Sequence, residues 1–106
     1  MNVKNASDVK RFNDGRLVRT QLFQEGKTTV FVLNFLPGQK LPPHPHPDSH
    51  VYLYIIEGKG VCTIDDQQYA IAEKDVIHAV DNQHVSVENT GDAPLSIYVV
   101  QAHESL

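Results

Sequence analysis

Histidine dominates the chemistry this chain can offer. Six histidines occur among 106 residues, and three of them, His44, His46 and His50, fall within seven positions. Metal sites in β-proteins are commonly built from imidazoles of alternate strand residues plus a ligand from a neighbouring strand, which brings several nitrogens to within ~2 Å of one ion. The His44-x-His46 pair supplies two such ligands, and His50 follows across a Pro-Asp-Ser turn. His84 opens a later strand that can pair beside the first, giving four imidazoles in all. With no anionic ligand to offset its charge, a divalent ion held this way is one Fe, Mn, Ni, Cu or Zn per chain rather than Ca or Mg. An octahedral ion with four protein ligands keeps about two positions open, where an enol, diol or 2-oxo acid can bind and be polarised.

The backbone carrying the first pair is stiff. Leu41 to Ser49 reads LPPHPHPDS, and its prolines at 42, 43, 45 and 47 fix φ and remove donors. That excludes a central strand and predicts an extended entry onto a sheet, where His44 and His46, two apart, share a face. The other candidates are plainer. His78 and His103 read as surface or hydrogen-bonded histidines, with His103 in a frayed tail and His78 a reserve ligand lining the interior if His84 faces outward. Tyr52 and Tyr54 share a face and read as packing, although a phenol beside a metal can bind or protonate a substrate. Cys62, the single cysteine, cannot form an intrachain disulfide and reads as a small core residue. Asp48, Asp65, Asp66, Asp75 and Asp81 fall mostly in turns as solvated carboxylates. No nucleophilic triad is suggested by spacing, and no catalytic residue is assigned.

Strands must position these groups. Apolar and polar residues alternate with period two in several short runs, and no window keeps a period of 3.6 with caps. The chain therefore reads as all-β, with strands at Arg16–Phe23, Thr28–Leu36, Tyr52–Ile56, Gly60–Ile64, Gln67–Ile71, Val76–Val80, His84–Glu88 and Leu95–Gln101. Turn chemistry separates them, at Asp14-Gly15, Glu25-Gly26, Pro37-Gly38, Asp65-Asp66 and Asn89 to Pro94. Glu57-Gly58-Lys59-Gly60 reads as a tight hairpin with glycines free to take positive φ. Eight strands so closely spaced make a sandwich or barrel. Residues 1–10 lack a pattern and read as an edge strand, a helical turn or an arm. One domain over residues 1–106 is the expected organisation.

Composition narrows the partners. Hydrophobic residues at 41% against 21% charged can support a core, and a net charge of -4 argues against nucleic acid. With no long apolar run and no signal-like start, the expectation is a cytoplasmic protein without a membrane.

The stretch Gly38-x5-His44-x-His46-x3-His50, running on to Glu57-Gly58, resembles the first motif of the cupin family. Asp75 through Asn89-Thr90-Gly91-Asp92 is similar to the second. The resemblance covers about residues 16 to 101 and implies a single-domain, double-stranded β-helix, a jelly-roll barrel. It also implies that His84 takes the place of the last metal-binding histidine, and that His50 stands where the family usually has Glu; some small cupins use four histidines. A strict count back from Gly58 puts Val51 rather than His50 at the ligand position, and a count back from Asn89 puts Val85 rather than His84 there. A one-residue slip turns a side chain to the opposite face, so a bulge after His50 would be needed. We expect His44, His46, His50 and His84 as the ligands. The function expected is a metal-dependent enzyme, a dioxygenase or isomerase acting on a small oxygen-rich molecule; the alternative is a non-catalytic module that binds a small molecule or metal as a sensor or accessory protein. Strands apolar on both faces, such as Thr29–Leu36 and Leu95–Val100, imply burial outside the barrel too, hence a homodimer.

Overall fold

Among the described residues, alternation builds nine strands in two antiparallel sheets that face one another. The computed structural model describes residues 2–80 and 82–103. In chain order the strands are β1 (Val18–Glu25), β2 (Thr28–Phe35), β3 (Lys40–Pro45), β4 (Ser49–Glu57), β5 (Lys59–Ile64), β6 (Gln67–Ala72), β7 (Val76–Ala79), β8 (His84–Glu88) and β9 (Leu95–His103). A five-stranded sheet has the spatial order β1-β2-β9-β4-β7, and a four-stranded sheet the order β3-β8-β5-β6. This is the all-β jelly roll the sequence predicts. Asp81, expected in a solvated turn, lies outside the described residues.

The strand absent from the sequence expectation is β3. Its prolines suppress the strand pattern, yet they put it where such a segment can survive: at a sheet edge, where among the described strands it pairs with β8 alone. The ladder slips between Leu41 and His44, where Pro42 and Pro43 have no N–H to give. His103, expected in a frayed tail, closes β9 opposite Ser49.

Facing residues of the two sheets make one core. β2 contributes Phe31, Leu33 and Phe35; β4 contributes Val51, Leu53 and Ile55; β8 and β9 add Val85, Val87, Leu95, Ile97 and Val99. Each such side chain contributes about 1.5–3 kcal/mol by leaving water. Cys62 is buried among them, as expected, and its thiol is pushed up to about 11 by burial, an unreactive group at neutral pH.

β2 is buried on its outer face as well. Val32 and Asn34 point away from the core and are almost wholly covered. The cover comes partly from the chain's own N-terminal segment, which forms a single 3-10 turn, Ala6–Val9, capped by the Asn5 side chain. Asn34 Nδ2 donates to the Val9 carbonyl at 2.9 Å, and Ser96 Oγ donates to Asn34 Oδ1 at 2.6 Å. At this stretch of β2 the chain thus covers its own apolar outer face, which the sequence had suggested a partner would cover.

Gly58 turns the chain from one sheet to the other, between β4 and β5, so this is a corner and not the hairpin the sequence suggested. Its φ of 90° is one that glycine alone takes freely.

Candidate functional site

Strand parity decides which histidines can meet. Along β4, Ser49, Val51, Leu53 and Ile55 are buried while Tyr52 and Tyr54 are exposed, so the side chain of His50 lies on the outer face. No bulge intervenes between His50 and Val51: the β4–β9 ladder runs unbroken from Ser49 to Ile55. Along β8, Val85 and Val87 are buried and His84 is exposed. Both register expectations are therefore corrected. The strict count holds, Val51 and Val85 face the interior, and His50 and His84 face outward.

Each outward histidine has its own partner. His84 Nδ1 stands 3.8 Å from Asp65 Oδ1, both side chains about half exposed at 56% and 52%, a pair that adds little to stability. His50 Nδ1 lies 2.9 Å from His78 Nε2. The two ring planes differ by 9°, and 2.9 Å is closer than stacked rings can approach, so the imidazoles meet edge to edge in one hydrogen bond. One ring donates its N–H and the other accepts with its lone pair, so these two nitrogens are taken up by each other. Tyr52 stacks on His78, its cross-strand neighbour, at 4.6 Å. His78 as reserve ligand and the two tyrosines as interior groups are thus corrected as well: all three sit on the outer face.

His44 and His46 remain together. Their ring centroids are 4.6 Å apart with planes at 60°. Both line a cavity of about 170 Å³ between the sheets, walled by Phe31, Leu33, Leu41, Val51, Leu53, Val85 and Val99, with Arg19 and Gln101 as its other polar groups. The loop after His46 is held by Ser49 Oγ, which donates to the His46 carbonyl at 2.9 Å. Asp48 allows the turn with a φ of 58°. Arg19 lies over the Phe31 ring at 4.0 Å, a cation–π contact worth about 0.5–1 kcal/mol at an exposed site. Sequence reasoning missed Arg19 and Gln101, because they reach the cavity through long-range register, Arg19 opposite Leu33 and Gln101 opposite Val51.

His46 carries the site's one electrostatic oddity. Its Nδ1 is buried and has no hydrogen-bond partner among the described residues. Burial, and then the neighbouring His44, hold the imidazole below its ordinary 6.5. The sign of the stability effect follows. Well above pH 6.5 His46 is neutral both folded and unfolded; as pH falls through that value the unfolded chain takes the proton first, so stability falls with pH until the folded imidazole protonates too. The urea midpoint should drop between about pH 7.5 and about pH 5.5, and drop less in His46→Gln, which cannot titrate. Equal drops in both proteins would assign the loss to other groups.

The donor set tests the four-histidine metal centre that the sequence suggested. A catalytic ion ordinarily has three protein ligands. Among the described residues no three of His, Cys, Asp or Glu converge on one point. The cavity offers two imidazoles, two valines where further donors were counted, and a guanidinium whose charge opposes a cation. These residues do not fit a resident metal.

The comparisons agree on family and fold. A family described as Cupin_2: Cupin domain matches residues 31–101. The chain is 32% identical over 71 residues to the uncharacterized protein MJ1618 of Methanocaldococcus jannaschii, covering 63% of this chain and 57% of that one. It is 28% identical over 74 residues to the tetracenomycin polyketide synthase protein TcmJ of Streptomyces glaucescens, covering 68% and 50%. The chain thus spans about half the length of these curated relatives. The crystal structure of TT1209 from Thermus thermophilus superposes with a TM-score of 0.92 at 24% identity, covering 99% of this chain and all of that one, a likeness of fold. Among the described residues no helix is long and apolar enough to cross a membrane.

Proposed function

We propose, from the premise that the chain belongs to the cupin family, that its barrel binds a small organic molecule between the two sheets. The observation that carries this reading is the cavity of about 170 Å³, with apolar walls and the polar groups of Arg19, His44, His46 and Gln101. A few placed polar groups in an apolar concavity are what orient a ligand. The volume lies below the drug-sized range of about 300–1,000 Å³, so the ligand is a small metabolite. Titrating a set of fragment-sized molecules into isotope-labelled protein should move the amide signals of Phe31, Val51 and Val85. Val85→Phe, which fills the space, should weaken each hit at least tenfold. Signals that stay put for the whole set would overturn the reading.

A second reading, catalysis in the same pocket, is favoured by His46, which lines the cavity and is held toward its neutral form by burial. A neutral imidazole beside a bound molecule suits a general base. Oxidative cleavage or isomerisation at a four-histidine ion would need donors that His50 and His84 do not bring here, so this reading rests on His44 and His46 alone. Mass spectrometry of the recovered ligand separates the two: unchanged ligand supports a sensor or accessory module, and a product that stops forming in His46→Gln supports an enzyme.

As a macromolecular partner we propose a second copy of the chain, seated where Tyr52, Tyr54 and Val76 lie exposed on the five-stranded sheet. Sedimentation at micromolar concentration should return twice the 11.9 kDa of the chain, and Val76→Lys should return it to one. A wild type that sediments as one chain would refute this.

A further inference from the structure

The places that a count from Gly58 and Asn89 gives to metal donors hold valines, and both valines face the interior. Val51 and Val85 line the cavity that His44 and His46 enter, so their position inside the barrel is kept while their donor chemistry is gone. An isopropyl group has no lone pair, and exchanging two donors for two apolar groups also removes the polar shell an ion keeps. Gln101 and Arg19 are the remaining polar groups of the cavity. An amide is a weak ligand, and a guanidinium that is charged at every accessible pH repels a divalent cation and attracts an anion.

We propose that this barrel recognises its ligand directly and without a resident metal: the ligand is a small organic anion whose apolar body lies against Val51, Val85 and Phe31 and whose carboxylate-like head is met by Arg19, His44 and His46. This rests on the binding function above and gives that site its ligand class. Arg19 is the residue of specificity. Its guanidinium, held over the Phe31 ring, presents paired N–H groups to two oxygens at once. The imidazoles add one N–H each. The valines do more than leave space: they supply the apolar wall that a metal-holding barrel would lack at these two points.

The test uses the full chain purified without chelator and without a histidine tag. Elemental analysis, before and after incubation with Mn, Fe, Co, Ni, Cu and Zn salts in turn, should return less than a tenth of an equivalent of any metal at the barrel. The readout is the difference from His44→Ala/His46→Ala, so that surface binding at His50 and His78 cancels. The double variant Val51→Glu/Val85→His should raise that toward one equivalent, and Val85→His alone, the gentler change, should raise it in part. Benzoate should bind with an affinity unchanged by EDTA, at least tenfold tighter than benzyl alcohol, and Arg19→Gln should remove that preference.

About one metal per wild-type chain, lost in His44→Ala/His46→Ala, would overturn the inference while leaving a ligand site in the barrel intact. So would benzyl alcohol binding as well as benzoate. A folded Val51→Glu/Val85→His that stays empty would remove the role given to the valines. Neither probe binding to a metal-free wild type would instead bring down the binding function itself.

Discussion

Gly58→Ala should be the most damaging single-methyl change in the protein, lowering stability by at least about 3 kcal/mol. Two independent costs meet at this residue. Its φ of 90° lies in the region where a side chain is strained whatever the surroundings. A Cβ would also sit 2.8 Å from Leu95 Cα and nearer still to the Pro94 carbonyl oxygen, both backbone atoms that cannot swing aside. Leu95 is fully buried and begins β9, the strand that pairs with both β2 and β4. Pushing Leu95 away therefore disturbs the middle of the five-stranded sheet, not a loop. At about 4–8 °C per kcal/mol for a domain near this size, thermal unfolding should shift down by more than 12 °C. Gly26→Ala is the control: it shares a positive φ of 58° but has nothing within 4 Å, so it carries the conformational cost alone. If the two variants melt together, the close approach to Pro94 is not what makes Gly58 necessary.

The contrast between Gly58 and the histidines explains what could be read in the sequence. The strand of alternating residues from His84 to Glu88 is found with its observed bounds, because turn residues flank it on both sides and one face is wholly buried. Parity within that strand was equally legible: Val85 and Val87 cannot face the core unless His84 faces out. His84 and His50 were expected inside because an imidazole next to a motif position is chemically attractive. Attraction does not change the face a residue occupies, and only a bulge could have done so. The count from Gly58 carried the correct answer, since Gly58 fixes the corner and the ladder from Ile55 back to Ser49 has no slip. What no local pattern contained was the pairing of Arg19 with Leu33 and of Gln101 with Val51, which brings two polar groups from the two ends of the chain to one cavity. β3 was hidden for a different reason. Its prolines erase the usual strand signal, and its edge position compensates for their missing donors.

Asn89→Ala should lower stability by about 3 kcal/mol although it removes no apolar surface. Asn89 is 1% exposed and ties its own turn to the end of β2 through its side chain. Its Nδ2 donates to the Phe35 carbonyl at 3.1 Å and to the Ala93 carbonyl at 3.0 Å, while its Oδ1 accepts from Gly91 N at 3.0 Å. Alanine leaves the Phe35 carbonyl unpaired where water cannot reach it, a cost of about 1–3 kcal/mol, and the two partly exposed bonds add about 1 kcal/mol each at most. The backbone of Asn89 already holds Gly38 and Gln39 through bonds of 2.9 Å each way, so the same residue fixes the entry to β3 and hence to His44. A ligand that depends on His44 should therefore bind more weakly in this variant even where the chain is still folded. Asn89→Asp separates hydrogen bonding from shape. Near neutral pH its carboxylate keeps the bond from Gly91 but faces two carbonyl oxygens, so it should be less stable than Asn89→Ala. Protonation returns one donor and favours the folded state, which places the folded pKa of the new carboxyl above its unfolded value. The stability of Asn89→Asp should then rise as pH falls toward about 4, against the downward trend expected of the wild type. Parallel pH profiles for the two proteins would mean that residue 89 holds this corner by volume alone.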